Sequence, residues 1–234
     1  MSTRHLVVNA DDLGMTEGVN AGIVEAHRRG IVTSASLMVK RPEADSAAAL
    51  AKTVPTLGVG LHIDLTEWEP VDGESRLMYS RADLNDRSQV AKEIGEQLEI
   101  FVAMVGRNPD HLDSHQHVHL RGHPREESIR LAKDLGVPLR GIDGRIAFCG
   151  QFYGQKGLNE SDPEAITKTN LLRLVGRMEG GWMELMCHPG IARGLHSVYA
   201  SERELELEVL CDPSVREALD AMGVELVSFA DLRR

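Results

Sequence analysis

The chain contains few cysteines and few aromatic residues, and it has no long apolar run and no long basic run. Its three cysteines, Cys149, Cys187 and Cys211, are far apart and lack CxxC spacing, so they indicate reduced thiols rather than a disulfide framework or a structural zinc site. The formal charge of −10 argues against a nucleic acid or an anionic membrane surface as a partner. No uninterrupted apolar stretch approaches the about 20 residues of a membrane helix.

The first residues, MSTRHLVVNADD, reach acidic side chains before the apolar core of a signal peptide could form. Together with the reduced thiols, this predicts a cytoplasmic protein. Hydrophobic residues make up 42% and charged residues 26% of the 234 positions, which is the balance of a globular protein with a sizeable core. No linker or low-complexity segment divides the chain, so we expect one domain over residues 1–234.

Short apolar runs alternate along the chain with longer stretches of helical period. The helical stretches carry apolar residues at three- and four-residue intervals. They lie at 19–30, 43–54, 88–106, 125–136 and 164–180. The predicted strands are 5–10, 34–39, 59–65, 111–115, 138–142, 182–188 and 224–229. Strands that alternate with helices predict a parallel sheet with right-handed crossovers and with the helices packed outside it.

Two parallel topologies fit this order, a closed (β/α) barrel and an open doubly wound sheet. The first predicted strand leads into NADDLGMTEG, which has two acids where a dinucleotide-binding open sheet carries GxGxxG. Polar residues instead collect at the carboxyl ends of several strands, where barrel enzymes keep their catalytic groups. We therefore predict an α/β fold, a distorted or incomplete (β/α) barrel of about seven parallel strands.

Two predicted connections, 66–87 and 143–162, are too long to be turns. Connections of about 20 residues in a compact domain are usually functional or disordered. Both follow the carboxyl ends of strands and both contain aromatic residues, although the chain is only 4% aromatic. We expect them to cover a ligand, with Trp68, Phe152 and Tyr153 in contact with it. Surface insertions without a role are the alternative.

Polar side chains mark the ends of four predicted strands, beginning with the first and the third. Asp11 and Asp12 close the first strand, and adjacent carboxylates repel each other unless a cation or a shared proton intervenes. A helix cap explains one acid better than two. His62 shares a face with Asp64 in the buried segment VGLHIDL. By itself, a histidine there is more often a hydrogen-bonded core residue than a metal ligand.

The segment HLDSHQHVHL, residues 111–120, holds four histidines and an aspartate. If its strand ends at His115, Asp113 and His115 point the same way. Asp113 then lies one layer deeper, where it can orient His115 or another ligand. His117 and His119 are expected beyond the strand, near the rim.

The segment ELMCHPG ends the sixth predicted strand. Glu184 and His188 alternate onto one face, with His188 at the lip and Glu184 deeper. Taken jointly, the carboxylate pair and three strand ends with histidine would meet at one rim of a barrel. Two imidazoles and a carboxylate, with open positions for water, are a recurring ligand set for a catalytic divalent metal. The sequence therefore predicts a metal site at this rim.

These motifs in combination resemble the YdjC-like carbohydrate deacetylase family. The resemblance rests on NADD-G near the amino terminus, GLHIDL, HLDSHQHVH, the FYG of the second long connection and MCHPG, and it spans residues from about 5 to 230. That family includes the diacetylchitobiose deacetylases and is similar to the wider polysaccharide deacetylase superfamily. The resemblance implies a distorted (β/α) barrel that uses one divalent metal ion to remove N-acetyl groups from small N-acetylglucosamine saccharides.

The resemblance also implies roles for individual residues. The implied metal ligands are Asp12, His62 and His115. Asp11 would be the general base that takes a proton from water, and His188, in its charged form, would be the general acid that protonates the leaving amine. Arg140 matches a position where related enzymes carry an arginine near the site. Asp113 and Glu184 are expected to support these groups, and Glu184 or another buried acid is expected to keep His188 protonated.

The residues leave alternatives open. The same metal site could hydrolyse another amide or an acetamido-sugar conjugate. A non-catalytic saccharide- or metal-binding protein would bind without releasing acetate, but it would need no acid–base pair such as Asp11 and His188. The mixed nitrogen and oxygen ligands suit zinc or magnesium, and also manganese, cobalt or nickel. We expect one such ion as cofactor, a small N-acetylated saccharide as substrate, and a homodimer as the default oligomer.

Overall fold

The computed structural model describes residues 3–157, 160–193, 195 and 197–233. Within these residues the chain forms nine strands. They are β1 (Arg4–Leu13), β2 (Ser34–Leu37), β3 (Gly58–Ile63), β4 (Thr66–Val71), β5 (Glu74–Ser80), β6 (Leu112–Ser114), β7 (Ile146–Cys149), β8 (Gly181–Cys187) and β9 (Val224–Leu226). Seven of them form one sheet, and β4 and β5 form a separate antiparallel hairpin.

The main sheet is parallel and runs in the order β6-β3-β2-β1-β8-β7. One side of β1 pairs with β8 over residues 4–10. On the other side, β9 pairs with the beginning of β1 and β2 pairs with its end. The sheet curls into a half-barrel, which confirms the predicted incomplete barrel. Because β1 is central and buried from Leu6 onward, its carboxyl end lies in the middle of the rim.

Seven α-helices connect the strands of the described chain. They are α1 (Glu17–Arg29), α2 (Ala44–Lys52), α3 (Arg87–Val105), α4 (Gly122–Leu135), α5 (Lys168–Gly176), α6 (Ala200–Cys211) and α7 (Pro213–Ala221). The first five confirm the predicted helical stretches, whereas α6 and α7 were not predicted. Among the described residues, no helix combines the length and the apolar character that a membrane crossing requires.

Helix α6 escaped prediction because its buried face is charged. Its buried residues are Glu202, Arg203, Glu206 and Leu210. A pattern search for helices relies on apolar residues at three- and four-residue intervals, and charged residues are rarely buried unless they are paired. The partners that make this burial possible lie on other elements, so the helical period was not visible.

Three expectations about strands and loops need correction. The predicted strand 138–142 is wrong, because only Leu139 makes an isolated bridge, to Leu112, and the chain turns at Gly141, which has a positive φ of 66°. The strand next to β8 is instead β7, inside the predicted connection 143–162. The other long connection, 66–87, is mostly the β4–β5 hairpin. Residues 158 and 159 of the second connection lie outside the described residues.

Helix α1 lies directly against the segment that follows β8. A Cβ atom at Gly22 would lie 2.6 Å from the Cα of Gly190, and one at Gly18 would lie 2.2 Å from the carbonyl oxygen of Ile191. Real Cβ atoms do not approach backbone this closely, so both helix positions require glycine. This contact holds the segment that carries His188 against the barrel.

Candidate active site

A cavity of about 450 Å³ opens at the carboxyl ends of β1, β3, β6 and β8. Its wall combines strand ends of the half-barrel with the β4–β5 hairpin and with residues of the second long connection. The predicted site residues that line it are Asp11, Asp12, His62, Trp68, His115, Tyr153 and His188. The structure therefore brings together side chains that are far apart in the sequence.

Asp12, His62 and His115, which we call the histidine cluster, face one another in this cavity. The Oδ1 atom of Asp12 lies 3.5 Å from Nε2 of His62 and 3.2 Å from Nδ1 of His115. Asp12 Oδ1 is buried, yet it accepts no hydrogen bond within the described residues. One potential ligand atom from each of the three residues lies within 4.8 Å of the others.

The outer nitrogens of both imidazoles are bonded to carboxylates. Nδ1 of His62 lies 2.8 Å from Asp113, and Nε2 of His115 lies 3.0 Å from Glu67. Because an ionised carboxylate only accepts hydrogen bonds, these outer nitrogens carry the hydrogens. In a neutral imidazole the inner nitrogen then presents a lone pair. In this neutral form two lone pairs and a carboxylate oxygen converge, as they do around a bound metal ion.

The spacing of these atoms fits a divalent metal. Nitrogen and oxygen ligands lie about 2.0–2.2 Å from a zinc ion, so ligand atoms around one ion are separated by about 3–3.5 Å. Asp12 Oδ1 lies 3.2–3.5 Å from the inner nitrogens of both histidines. Two histidines and one carboxylate also leave coordination positions for water or substrate. The residues present therefore fit a metal ion.

The electrostatics of the histidine cluster point the same way. Burial lowers the pKa of His62, but Asp113 and the neighbouring acids outweigh it and raise the value to about 10. Burial likewise lowers the pKa of His115, but Asp12 and Glu67 raise it to about 9. Without a metal, the cluster therefore holds protons strongly. Either as protons or as a metal ion, the position attracts positive charge.

A second group, Asp11, Asp113, Arg140 and Glu184, which we call the arginine cluster, lies beside the first. Arg140 donates to both oxygens of Asp11 at 2.6 Å and lies 2.7 Å from oxygens of Asp113 and Glu184. All four residues are at most 4% exposed. Burial raises the pKa of Asp11, but Arg140 lowers it below its usual value, so Asp11 is ionised at neutral pH.

Asp11, His62 and Asp113 form another group that could hold a metal by distance alone. Both of its carboxylates, however, are already paired with the Arg140 guanidinium. A metal ion there would have to displace or oppose a buried cation. In the histidine cluster an arginine, Arg203, takes only the Oδ2 atom of Asp12 and leaves Oδ1 without a hydrogen bond from any described residue, so this cluster is the better metal site.

His188 follows the end of β8 and faces the arginine cluster. Its Nε2 atom lies 3.8 Å from Oδ2 of Asp11, and its ring stands edge-on to Tyr153 and Tyr199. Glu184 pairs with Arg140 instead of supporting His188, so the expectation that Glu184 keeps this ring protonated is wrong. Burial lowers the pKa of His188 to about 4, and the ring is neutral at neutral pH.

Helix α6 supplies two residues of the site that the sequence reasoning missed. Arg203 Nη2 lies 2.5 Å from Oδ2 of Asp12, which leaves Oδ1 to face the histidines. Glu206 accepts hydrogen bonds from the backbone N–H of His188 and from the hydroxyl of Tyr199. One helix thus positions both a predicted metal ligand and the predicted general acid. No sequence signal distinguishes these residues from an ordinary charged surface.

The histidines of the 111–120 segment have different environments. His111 lies in the core, where its ring stacks at 4.0 Å on that of Phe229. His119 is completely buried, and its Nε2 bonds to the carbonyl of Arg140 at 3.1 Å; its predicted place near the rim is wrong. His117 lines the cavity as expected. Asp113 orients His62 rather than His115, which is the second of the two possibilities considered.

Of the three aromatic residues that were expected to contact a ligand, two line the cavity and one is in the core. Trp68, which is 45% exposed, and Tyr153 both line the cavity. Tyr153 is stacked on Tyr199 with a centroid separation of 4.5 Å. Phe152 is 0% exposed and belongs to the hydrophobic core. Its predicted contact with a ligand is therefore wrong, because its neighbour Tyr153 takes the outward-facing position.

The sequence profile of the YdjC-like proteins matches residues 5–221. The chain belongs to the YdjC-like protein family. A carbohydrate deacetylase of Geobacillus stearothermophilus is 35% identical over an alignment that covers 97% of this chain and 98% of the relative. A chitooligosaccharide deacetylase of Salmonella paratyphi B is 34% identical, with 98% of this chain and 99% of the relative covered.

Solved structures show the same fold. A crystal structure from Enterococcus faecalis, of a protein named for cellobiose-phosphate cleavage, superposes with a TM-score of 0.77 at 27% identity and covers 99% of both chains. A family 4 acetyl xylan esterase of Clostridium thermocellum, solved with a cobalt ion, has a TM-score of 0.54 at 14% identity. That superposition covers 98% of this chain and 90% of the esterase, and it supports the fold alone.

Proposed function

We propose that this YdjC-like protein is a metal-dependent deacetylase of small N-acetylglucosamine-containing saccharides such as diacetylchitobiose. Its products would be acetate and an amino sugar. The curated relatives, a carbohydrate deacetylase and a chitooligosaccharide deacetylase, support the reaction class and the class of substrate. The observation that carries the proposal is the convergence of three potential metal ligands beside Asp11 and His188, an acid–base pair that a binding protein would not need.

In this proposal the histidine cluster holds the ion, and the side chains around it prepare the ligands. Asp113 and Glu67 fix the tautomers of His62 and His115, and Arg203 occupies the second oxygen of Asp12. A divalent ion bound there would polarise the acetyl carbonyl and make water more acidic. Zinc or magnesium are the first candidates, and manganese, cobalt or nickel also suit this ligand set.

Asp11 acts as the general base in the proposed reaction. Arg140 keeps it ionised and holds its carboxylate plane in one orientation through two hydrogen bonds. Oδ1 also accepts from Asn9, but among the described residues Oδ2 bonds only to Arg140 and has a second lone pair, so Asp11 can still accept a proton from the attacking water there. Its position next to Asp12 in the sequence places it beside the ion without making it a ligand.

His188 protonates the leaving amine in the proposed reaction. It enters the cycle neutral, because burial lowers its pKa to about 4. It must therefore receive a proton before it can donate one, and Asp11 is 3.8 Å from its Nε2 atom. The proton that Asp11 takes from water can pass to His188 and then to the amine, so the water supplies both the nucleophile and the proton.

The cavity itself suits a small saccharide. Trp68 and Tyr153 present aromatic surface, and Gln116, Gln155 and His117 present hydrogen-bonding groups. Ligand sites of this kind combine apolar surface with a few placed polar groups. A volume of about 450 Å³ lies in the range of small-ligand pockets.

Acetate release is the direct test of the proposal. Protein stripped of metal and reloaded with zinc or magnesium should release acetate from N,N′-diacetylchitobiose, and chelation should stop the release. A panel of other N-acetylated sugars and amides would establish the substrate class. Stoichiometric metal binding without acetate release from any member of the panel would contradict the proposed activity and favour a binding protein.

A further inference from the structure

We propose that Glu67 is a positioning residue for the metal ligand His115, and that through it the β4–β5 hairpin and the metal site stabilise each other. The inference rests on the proposed metal site. It adds a residue from outside the half-barrel to that site, and it makes the hairpin part of the metal centre.

The contact between Glu67 and His115 is short and sheltered from solvent. Oε1 of Glu67 lies 3.0 Å from Nε2 of His115, and the two side chains are 14% and 11% exposed. A carboxylate on the outer nitrogen of a ligating histidine fixes its tautomer and raises its basicity toward the metal. Glu67 therefore does for His115 what Asp113 does for His62.

Glu67 is held in place independently of His115. Its other oxygen forms an ion pair with Arg41, which also lies 3.1 Å from Asp64. Asp64 follows β3 and accepts a hydrogen bond at 2.5 Å from the hydroxyl of Tyr79, in β5. The carboxylate is thus connected both to the barrel and to the second strand of the hairpin.

The hairpin has few other attachments to the barrel. Among the described residues, β4 and β5 pair only with each other, and a two-stranded hairpin is at best marginally stable alone. Gln116 bonds to the backbone of Trp68, accepting from its N–H at 3.0 Å and donating to its carbonyl at 2.7 Å. Trp68, Glu69 and Pro70 line the cavity, so the position of the hairpin also shapes the place for substrate.

Thermodynamic linkage makes the effect reciprocal. If docking of the hairpin through Glu67 strengthens metal binding by a given factor, metal binding strengthens docking by the same factor. Removal of an outer partner of a ligating histidine typically weakens metal binding by about 10–100-fold. The hairpin should therefore be better protected from solvent when the metal is bound.

The affinity for Zn²⁺, measured by competition with a chromogenic chelator, tests the inference. Glu67→Ala should bind Zn²⁺ about 10–100-fold more weakly than wild type. Glu67→Gln keeps a hydrogen-bond acceptor and should lose less than Glu67→Ala. Glu69→Ala is the matched control, since Glu69 lies on the same strand and lines the cavity but belongs to neither cluster; its affinity should equal that of wild type.

Hydrogen exchange of residues 66–80 provides a second readout that a merely structural role would not produce. Zn²⁺ should slow exchange there in wild type and in Glu69→Ala, and should have little effect in Glu67→Ala. Equal Zn²⁺ affinity in wild type and Glu67→Ala would overturn the inference and leave the proposed function intact. If wild type itself binds no divalent ion, the proposed function is overturned together with it.

Discussion

The two neighbouring clusters of the site are built from similar residues but satisfy their charges differently. In the arginine cluster, the Arg140 guanidinium sits among three carboxylates and bonds directly to all of them. In the histidine cluster, Asp12 and two imidazoles turn their inner atoms toward one another without hydrogen bonds. The contact of His62 with Asp113 joins the two clusters.

The arginine cluster is therefore complete without a ligand, whereas the histidine cluster has room for a bound cation. The arginine cluster already contains a buried cation that is bonded to each of its carboxylates, so it can hold Asp11 rigidly without any ligand. In the histidine cluster, Arg203 pairs with Asp12 Oδ2 alone, so the position between Oδ1 and the two imidazoles can accept a proton or a metal ion. Neighbouring acids can therefore have different roles, and their partners decide which. Asp11 is held by Arg140, whereas Asp12 faces His62 and His115.

The largest expected effect is on turnover, in Asp11→Asn. The variant keeps the shape of the side chain but loses the base, so kcat should fall by about 10²–10⁴-fold. Metal content should not change, because Asp11 is not in the histidine cluster. Acetate release and elemental analysis measure the two quantities. Activity near that of wild type would show that Asp11 is not the base.

Removal of the buried cation should have the next largest effect. Arg140→Met leaves Asp11, Asp113 and Glu184 buried without their shared partner, so the free energy of unfolding should fall by about 3–5 kcal/mol. Urea denaturation of metal-free protein measures it. Arg140→Lys keeps the charge and should lose less.

The matched change in the other cluster is His115→Gln. It should abolish metal binding but cost metal-free protein less stability than Arg140→Met does, because Asp12 keeps Arg203 as a partner, whereas Arg140→Met removes the shared partner of three buried carboxylates. If His115→Gln proved the more destabilising of the two in urea, the distinction between the clusters would be wrong.

A smaller effect should follow from a change beneath His188. In Gly22→Ala the new methyl group meets the backbone of Gly190, which should cost about 1–3 kcal/mol of stability and displace His188. Activity should fall while Zn²⁺ affinity stays near wild type. Gly95→Ala is the control, since nothing lies within 4 Å of a Cβ at that position of α3; it should stabilise by about 0.5–1 kcal/mol. Loss of Zn²⁺ binding in Gly22→Ala would contradict the prediction that this contact positions His188 without affecting the metal ligands.

The sequence was informative about the site wherever chemistry coincides with the end of a regular strand. Asp12 and His62 follow apolar runs whose period is plain, and the half-barrel brings their carboxyl ends together. The sequence therefore predicts that these side chains meet, although it does not predict the distances between them. By contrast, the strand assigned to 138–142 is a turn, and Arg140 reaches the site because His119 and β6 hold its backbone.

The parts that were missed depend on pairing across the fold. Arg203 and Glu206 are buried only because Asp12 and the backbone of His188 meet them, and a sequence does not show such partners. In the two long connections, the sequence likewise did not show that Glu67 contacts His115 or that Phe152 is buried in the core. Which side chain turns inward there depends on the path of the chain, which periodicity does not reveal.

Metal content is the most direct test of the central claim, that Asp12, His62 and His115 bind one divalent ion. Wild type, His62→Ala and His123→Ala would be loaded with Zn²⁺, dialysed and analysed by mass spectrometry of the metal. His123→Ala is the control, because the half-buried imidazole of His123 does not line the cavity. We predict one ion per chain in wild type and in His123→Ala, and none in His62→Ala. Equal zinc content in all three folded proteins would contradict the account.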